Sequence, residues 1–132
     1  AKMIDKRFLK LKVVQAALDP PKLYGPQEAD LTLIGWGSSK GPILEAMEML
    51  EKDGIKVNFL HLAYIWPFPK EAVSQALKKA RLSIAIEGNR SGQMISLIKE
   101  EAGFKVTHRF LKYDGQPFYA IDIYQKIKEF LR

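Results

Sequence analysis

The sequence has no cysteine among its 132 residues. This absence excludes disulfide bonds, thiolate zinc sites, cysteine nucleophiles and cysteine-held iron–sulfur clusters within this chain. The sequence has two histidines, His61 and His108, and their spacing is not that of a metal site. We therefore expect structural roles for both histidines and no metal bound by this chain.

Long apolar runs are also missing. No run could span a bilayer, and the basic N-terminus leads into a periodic pattern instead of a signal-peptide block. We expect a cytoplasmic protein without a membrane partner.

The net charge is +6, but the basic residues are spread over predicted helices and no nucleic-acid motif accompanies them. This distribution favours solvated helix faces and no nucleic-acid partner.

The first part of the chain has a helical pattern. Apolar residues recur every three or four positions up to Leu18, and Asp19-Pro20-Pro21 then ends the pattern. We interpret residues 1–20 as a connector helix and residues 21–132 as one α/β domain. Residues 22–28, with a proline and a glycine, are expected to be a linker.

Strands and helices then alternate along the chain. Apolar runs predict strands over residues 30–36, 56–62, 82–86 and 104–110. Helical periodicity fills the intervals, with Gly54 ending the first helix of the domain. This alternation predicts a three-layer α/β/α fold, with a mostly parallel sheet and helices on both faces. The β–α turns then meet at the carboxyl edge of the sheet, where such folds bind ligands.

The final helix is assigned an inward face from its spacing. Four apolar or aromatic residues recur at three- and four-residue intervals after the last predicted turn: Ile121, Tyr124, Ile127 and Leu131.

The turn after the first strand carries glycines in the spacing G-x-G-x-x-x-G, at Gly35, Gly37 and Gly41. This spacing is a variant of the dinucleotide-binding fingerprint, but residues 58–61 lack the carboxylate that would hold the ribose. Lys40 precedes Gly41, so the order of a phosphate-binding P-loop is also missing. The structural alternative is a tight turn with Ser38 or Ser39 capping the following helix.

The loop after the third strand offers another candidate. Glu87 ends an apolar strand, and Asn89, Arg90 and Gln93 follow it. A carboxylate there could act as a base or brace the loop through hydrogen bonds. We favour the brace, because no partner acid, nucleophile or metal can be assigned. Arg90 and Gln93 are candidates for contact with a ligand or a neighbouring subunit.

The loop after the second strand places three aromatic residues close to two prolines: Tyr64, Trp66 and Phe68. Exposed, such a rigid apolar loop would anchor a protein interface. Buried, it would form a corner packed on the edge of the sheet. The sequence leaves both interpretations open.

Taken in order, four turns resemble the C-terminal domain of the α subunit of 2-oxoacid:ferredoxin oxidoreductases, a domain similar to the transketolase C-terminal domain. The resemblance covers nearly the whole chain. The motifs are Gly35-Trp36-Gly37-Ser38, Tyr64-x-Trp66-Pro67-Phe68-Pro69, Glu87-Gly88-Asn89-x-Ser91-Gly92-Gln93 and Lys112-Tyr113-Asp114-Gly115-x-Pro117-Phe118.

The resemblance implies a complex that oxidatively decarboxylates a 2-oxoacid to an acyl-CoA. In that complex thiamine diphosphate, magnesium and iron–sulfur clusters carry the chemistry, and electrons pass to ferredoxin. The cofactor lies between a preceding pyrimidine-binding domain and the β subunit. This chain is therefore expected to bind no cofactor, to carry no catalytic residue and to be inactive alone. Its edge, including Trp66, Phe68, Arg90 and Gln93, is expected to contact those partners, and the isolated chain to self-associate.

A second hypothesis comes from the turns themselves. A free-standing module could bind a small anion or a nucleotide on the turns at residues 35–41 and 87–93. Lys40 and Arg90 would supply the positive charge.

Overall fold

The protein folds around one five-stranded sheet. The structure, a computed structural model, describes residues 20–88, 93–112 and 117–132. The strands are β1 (Lys22–Tyr24), β2 (Leu31–Trp36), β3 (Val57–Leu62), β4 (Ser83–Glu87) and β5 (His108–Leu111). The sheet has the order β1-β3-β2-β4-β5. Neighbours among β2 to β5 are parallel, whereas β1 pairs antiparallel with β3.

Helices connect the parallel strands. A 3₁₀ turn at Gly37–Ser39 leads into the first helix, Lys40–Lys52, and the third helix, Gln93–Leu97, continues as a π-helical stretch over Ile98–Ala102. The predicted stop at Gly54 is confirmed: this residue has a φ of 80°, and its N–H donates to the Glu51 carbonyl oxygen. The helices are α1 (Lys40–Lys52), α2 (Lys70–Lys79), α3 (Gln93–Leu97) and α4 (Ala120–Phe130).

The sheet has a hydrophobic core on each face. Along β2, Leu33 packs into one core and the next residue, Ile34, into the other, as the alternation of a strand requires. Helices α1 and α4 cover the first core through Ile43 and Ile123. Helices α2 and α3 cover the second through residues such as Val73. The three-layer α/β/α prediction is confirmed.

The nearly continuous burial of the central strands follows from this layering. All five residues of β4 are buried, because helices lie on both faces of the sheet. Among the described residues, no helix is both long enough and apolar enough to cross a bilayer.

Several predictions need correction. Residues 22–28 are not wholly a linker, since Lys22–Tyr24 form strand β1. The last strand is shorter than predicted and begins at His108. Of the four residues predicted to face inward at the final helix, Ile127 is buried and Tyr124 packs against the core, but Ile121 and Leu131 are exposed. Ile123 is buried instead. The connector helix predicted for residues 1–20 lies outside the described residues except for Pro20, and it stays a prediction.

Candidate functional site

The carboxyl ends of β2 and β4 form the point where the strand order reverses. After β2 the chain turns to β3 on one side, and after β4 it turns to β5 on the other. Open parallel sheets bind ligands in the crevice at such a point. A groove of about 390 Å³ lies there. Its described lining residues are Trp36, Gly37, Ser38, Ser39, Pro42, Gly88, Pro117 and Phe118.

The glycine turn is closely packed against its own helix. A Cβ on Gly35 would lie 2.9 Å from the Ile43 Cδ1 atom and 3.1 Å from the Ser39 Oγ atom, so only glycine fits without a shift. Gly37 has a φ of 69°, in the left-handed region that favours glycine. The His61 Nε2 atom, 2.9 Å away, bonds the Gly37 carbonyl oxygen, so this histidine ties the turn to β3.

The predicted serine cap is wrong for Ser39. Its hydroxyl makes no cap hydrogen bond to α1 and instead donates to the Trp36 carbonyl oxygen at 3.1 Å. Ser39 is also buried. Its hydroxyl is therefore committed to the turn, and Ser38 is the exposed serine of the pair.

Glu87 braces the crevice. Its side chain is 1% exposed, and its Oε2 atom accepts hydrogen bonds from the Trp36 indole N–H at 3.1 Å and the Met94 amide at 2.7 Å. The Oε1 atom lies 3.4 Å from the Ile95 amide nitrogen, which donates to it. One carboxylate thus joins the end of β2, the end of β4 and the start of α3. These contacts agree with the brace favoured from the sequence.

The aromatic loop is partly exposed, as an interface anchor would be, and partly buried, as a corner packed on the sheet would be. Trp66 is 70% exposed, whereas Phe68 is 5% exposed and belongs to the core under α2. Ile65 is buried beside it, and Tyr64 is half-buried. Phe68 therefore holds the loop to the sheet instead of offering a contact surface, and Trp66 is the ring that solvent reaches.

Among the other candidate residues that the structure describes, Lys40 and Gln93 do not line the groove. The Lys40 Nζ atom lies 5.2 Å from the centre of the Tyr24 ring on β1, and Lys40 is not a lining residue. Asn89 and Arg90 lie outside the described residues. Gln93 is the exposed first residue of α3. The described lining thus offers no basic side chain to an anion.

His108 packs against α4. Its ring stacks on Phe130 with 4.4 Å between ring centres and 2° between planes. Within the described ranges, no group of three or more histidine, aspartate or glutamate side chains could hold a metal ion. The sequence analysis did not single out Lys22 and Tyr24, whose side chains contact each other on β1, because it took their segment for a linker.

Comparison with known families gives a match over most of the domain. The family model described as pyruvate:ferredoxin oxidoreductase core domain II matches residues 29–123. The α subunit of 2-oxoacid:ferredoxin oxidoreductase 1 from Aeropyrum pernix is 33% identical in an alignment of 135 positions that covers 98% of this chain and 21% of that subunit. The chain thus spans about a fifth of the length of such curated relatives.

Solved structures of 2-oxoacid:ferredoxin oxidoreductases are also similar to this chain. The 2-oxoglutarate:ferredoxin oxidoreductase from Magnetococcus marinus superposes with a TM-score of 0.86 and 30% identity, over 96% of this chain and 22% of that one. The α chain of a probable 2-oxoacid ferredoxin oxidoreductase from Thermoplasma acidophilum has a TM-score of 0.60 and 39% identity, over 85% and 97%.

A more distant likeness concerns the fold alone. A split-gene transketolase has a TM-score of 0.62 at 18% identity, over 85% of this chain and 42% of that one. The resemblance to the transketolase C-terminal domain therefore holds for the architecture. Together, the family match and the solved relatives show that the chain belongs to the pyruvate:ferredoxin oxidoreductase core domain II family, within α subunits of 2-oxoacid:ferredoxin oxidoreductases.

Proposed function

We propose that this domain has a structural role in a 2-oxoacid:ferredoxin oxidoreductase, and that it docks the carboxyl edge of its sheet onto the rest of the enzyme. The observation that carries the proposal is the loop around Trp66. Its neighbours Pro67 and Phe68 are buried, so the loop is held to the core while the indole stays in solvent. Large, rigid aromatic side chains of this kind are typical anchors of protein interfaces.

The activity of the whole enzyme would be the oxidative decarboxylation of a 2-oxoacid. The solved relative from Magnetococcus marinus holds 2-oxoglutarate, coenzyme A and succinyl-CoA, an oxoacid with its acyl acceptor and the matching thioester. From the similarity to this relative, we infer that the enzyme containing our chain converts a 2-oxoacid to its acyl-CoA and passes electrons to ferredoxin. Its partners would be a pyrimidine-binding domain and a β subunit.

The described residues of the groove do not fit thiamine diphosphate. The described lining has no carboxylate or amide side chain to hold magnesium and no basic side chain to hold the diphosphate. Glu87, the buried carboxylate nearby, is already bonded to three N–H groups. We therefore place the cofactor, its metal and the iron–sulfur clusters in other parts of the enzyme, and derive no chemical step from this domain.

The first test is the native state of the polypeptide that contains this sequence, purified from its own cells. The proposal expects a mass well above 15.0 kDa, a second subunit, bound thiamine diphosphate and iron–sulfur absorbance. A native mass near that of the chain alone, without these companions, would contradict the proposal.

The second test addresses the docking edge. We expect Trp66→Ala to weaken assembly with the partner subunit by about 2 kcal/mol, which is roughly 30-fold. The unfolding midpoint should hardly change, because an exposed indole contributes little to the core. Leu131→Ala is the matched control, since Leu131 is also exposed but follows the end of α4. Equal assembly of both variants, measured by sedimentation, would refute the docking role of Trp66.

The isolated chain gives a simpler check. Without its partners, the exposed apolar groups of the edge should drive self-association that rises with concentration. Light scattering over a range of concentrations measures this directly. A strictly monomeric chain would argue against an apolar docking edge.

A further inference from the structure

A cluster of basic side chains lies away from the groove, where β1 meets the start of α1. Lys22 and Tyr24 are two positions apart on β1, so both side chains stand on the same face of the sheet. The Nζ atom of Lys22 lies 4.8 Å from the centre of the Tyr24 ring, and that of Lys40 lies 5.2 Å from it. Two ammonium groups thus share one aromatic ring.

Aromatic side chains of the neighbouring strand β3 lie next to the cluster. Strand β1 pairs with β3, which places Phe59 opposite Tyr24 and His61 opposite Lys22. The Phe59 and Tyr24 rings stack with 6.0 Å between centres, and His61 is bonded to the Gly37 carbonyl oxygen. The residues of β3 that face the cluster therefore bring no carboxylate to it.

The charge of the cluster is not balanced within the described part of the chain. Lys112, Lys126 and Lys128 each lie within 4.0 Å of a carboxylate oxygen. In the described ranges, neither Lys22 nor Lys40 does. Positions three and four beyond Lys40, where a helical ion pair would form, hold Ile43 and Leu44. Both lysines are exposed, so an ion from solution can reach them.

We propose that Lys22, Tyr24 and Lys40 form a binding site for a phosphate group. Two ammonium groups beside one ring match the charge of a phosphate monoester, about −1.5 to −2 at neutral pH. The phosphate oxygens accept hydrogen bonds from both lysines and from the tyrosine hydroxyl. The site is separate from the groove, since none of its three residues lines that groove.

The acidity of the Tyr24 hydroxyl agrees with the proposed phosphate site. Interaction of the Lys40 ammonium with the hydroxyl, together with the charges of Lys22 and Lys40, lowers the pKa of Tyr24 below its usual value of 10.0. The O–H group is therefore polarised toward an acceptor. A phosphate oxygen is such an acceptor, whereas the two lysines only donate.

The test is a titration of the full chain with inorganic phosphate at low ionic strength, followed by nuclear magnetic resonance. We expect saturable shifts confined to the amides around Lys22, Tyr24 and Lys40, with a dissociation constant of the order of 1 mM. Lys22→Gln and Lys40→Gln should each weaken binding about tenfold, because each removes one charge-assisted hydrogen bond. Lys40→Arg should keep most of the binding, since it keeps the charge.

Lys70→Gln is the matched control, because it removes the same charge from the first residue of α2. Sodium chloride at equal ionic strength is the control for screening. Glycerol phosphate, titrated in parallel, distinguishes a free phosphate ion from a phosphorylated molecule by which of the two binds more tightly. Shifts that never saturate, that chloride reproduces, or that survive in both glutamine variants would overturn the proposal.

Discussion

Glu87→Gln is the substitution that best tests how the crevice is held. Glu87 is almost fully buried, and its two carboxylate oxygens accept three hydrogen bonds. Glutamine has nearly the same shape but one oxygen and one NH₂ group. That NH₂ group must then face an N–H donor, either at Trp36 and Met94 or at Ile95. The variant thus removes the charge and leaves at least one buried donor without an acceptor.

The magnitude follows from the individual bonds. The contacts at 2.7 and 3.1 Å are strong, whereas the contact at 3.4 Å is long and counts for little. Loss of charge assistance from the two strong bonds costs about 1 kcal/mol each, and a mismatched donor adds about 1 kcal/mol. We expect a loss of about 3 kcal/mol in the free energy of unfolding. This is a large part of the 5–15 kcal/mol typical of a domain, but the variant should still fold.

Urea unfolding followed by circular dichroism and tryptophan fluorescence measures the change. Glu48→Gln is the matched control, because Glu48 lies exposed on α1 and should change the unfolding free energy by less than about 0.5 kcal/mol. A second variant, Trp36→Phe, removes the indole donor, and the double variant should lose less than the sum of the two. A Glu87→Gln variant as stable as the Glu48→Gln control would refute the reasoning.

Two further predictions concern other parts of the fold. Tyr124 and Lys128 donate hydrogen bonds to the Asp53 carboxylate and lower its pKa below its usual 3.8. The ionised carboxylate therefore stabilises the folded state above pH 3.8, and this stabilisation is lost as the pH falls through the lower pKa of the folded state. Unfolding midpoints at about pH 7 and pH 3 should therefore differ less in Asp53→Asn than in the native chain; an unchanged difference would count against the contact. Gly35→Ala should destabilise the fold by about 1–3 kcal/mol because its Cβ meets Ile43 and Ser39, whereas Gly41→Ala, with nothing within 4 Å, should stabilise α1 by about 0.5–1 kcal/mol. Equal melting temperatures for the two glycine variants would show that the turn is not tightly packed.

The parallel core could be predicted because its signals are local. Strands β2, β3 and β4 are mostly apolar segments of five or six residues, and the helices between them have a clear three- and four-residue period. Strand β1 could not be predicted in this way. It has three residues, beside prolines and a glycine, and its partner β3 lies more than 30 positions along the chain. Nothing in a segment that short separates a strand from a linker.

The orientation of α4 also depended on packing. Its sequence offers two overlapping apolar stripes, one through Ile121 and Leu131 and one through Ile123 and Phe130, with Ile127 in both. The contact with α1 and the sheet selects the second stripe. For the site, the sequence singled out Glu87 and Trp66, but it could not show that Phe68 is buried or that Lys40 turns to β1 instead of the groove. Those facts depend on contacts between distant elements.

The antiparallel direction of β1 fixes how the polypeptide enters the domain. Lys22 lies opposite His61, near the carboxyl end of β3, and Tyr24 lies opposite Phe59, further from that end. The chain therefore passes along β1 from the carboxyl edge of the sheet toward the amino edge before it begins β2. The segment that leads into Lys22 therefore reaches the domain at the same edge of the sheet as the Trp66 loop. A covalent connection that enters there raises the effective concentration of a preceding domain at this edge, so that even a weak contact between the two would form.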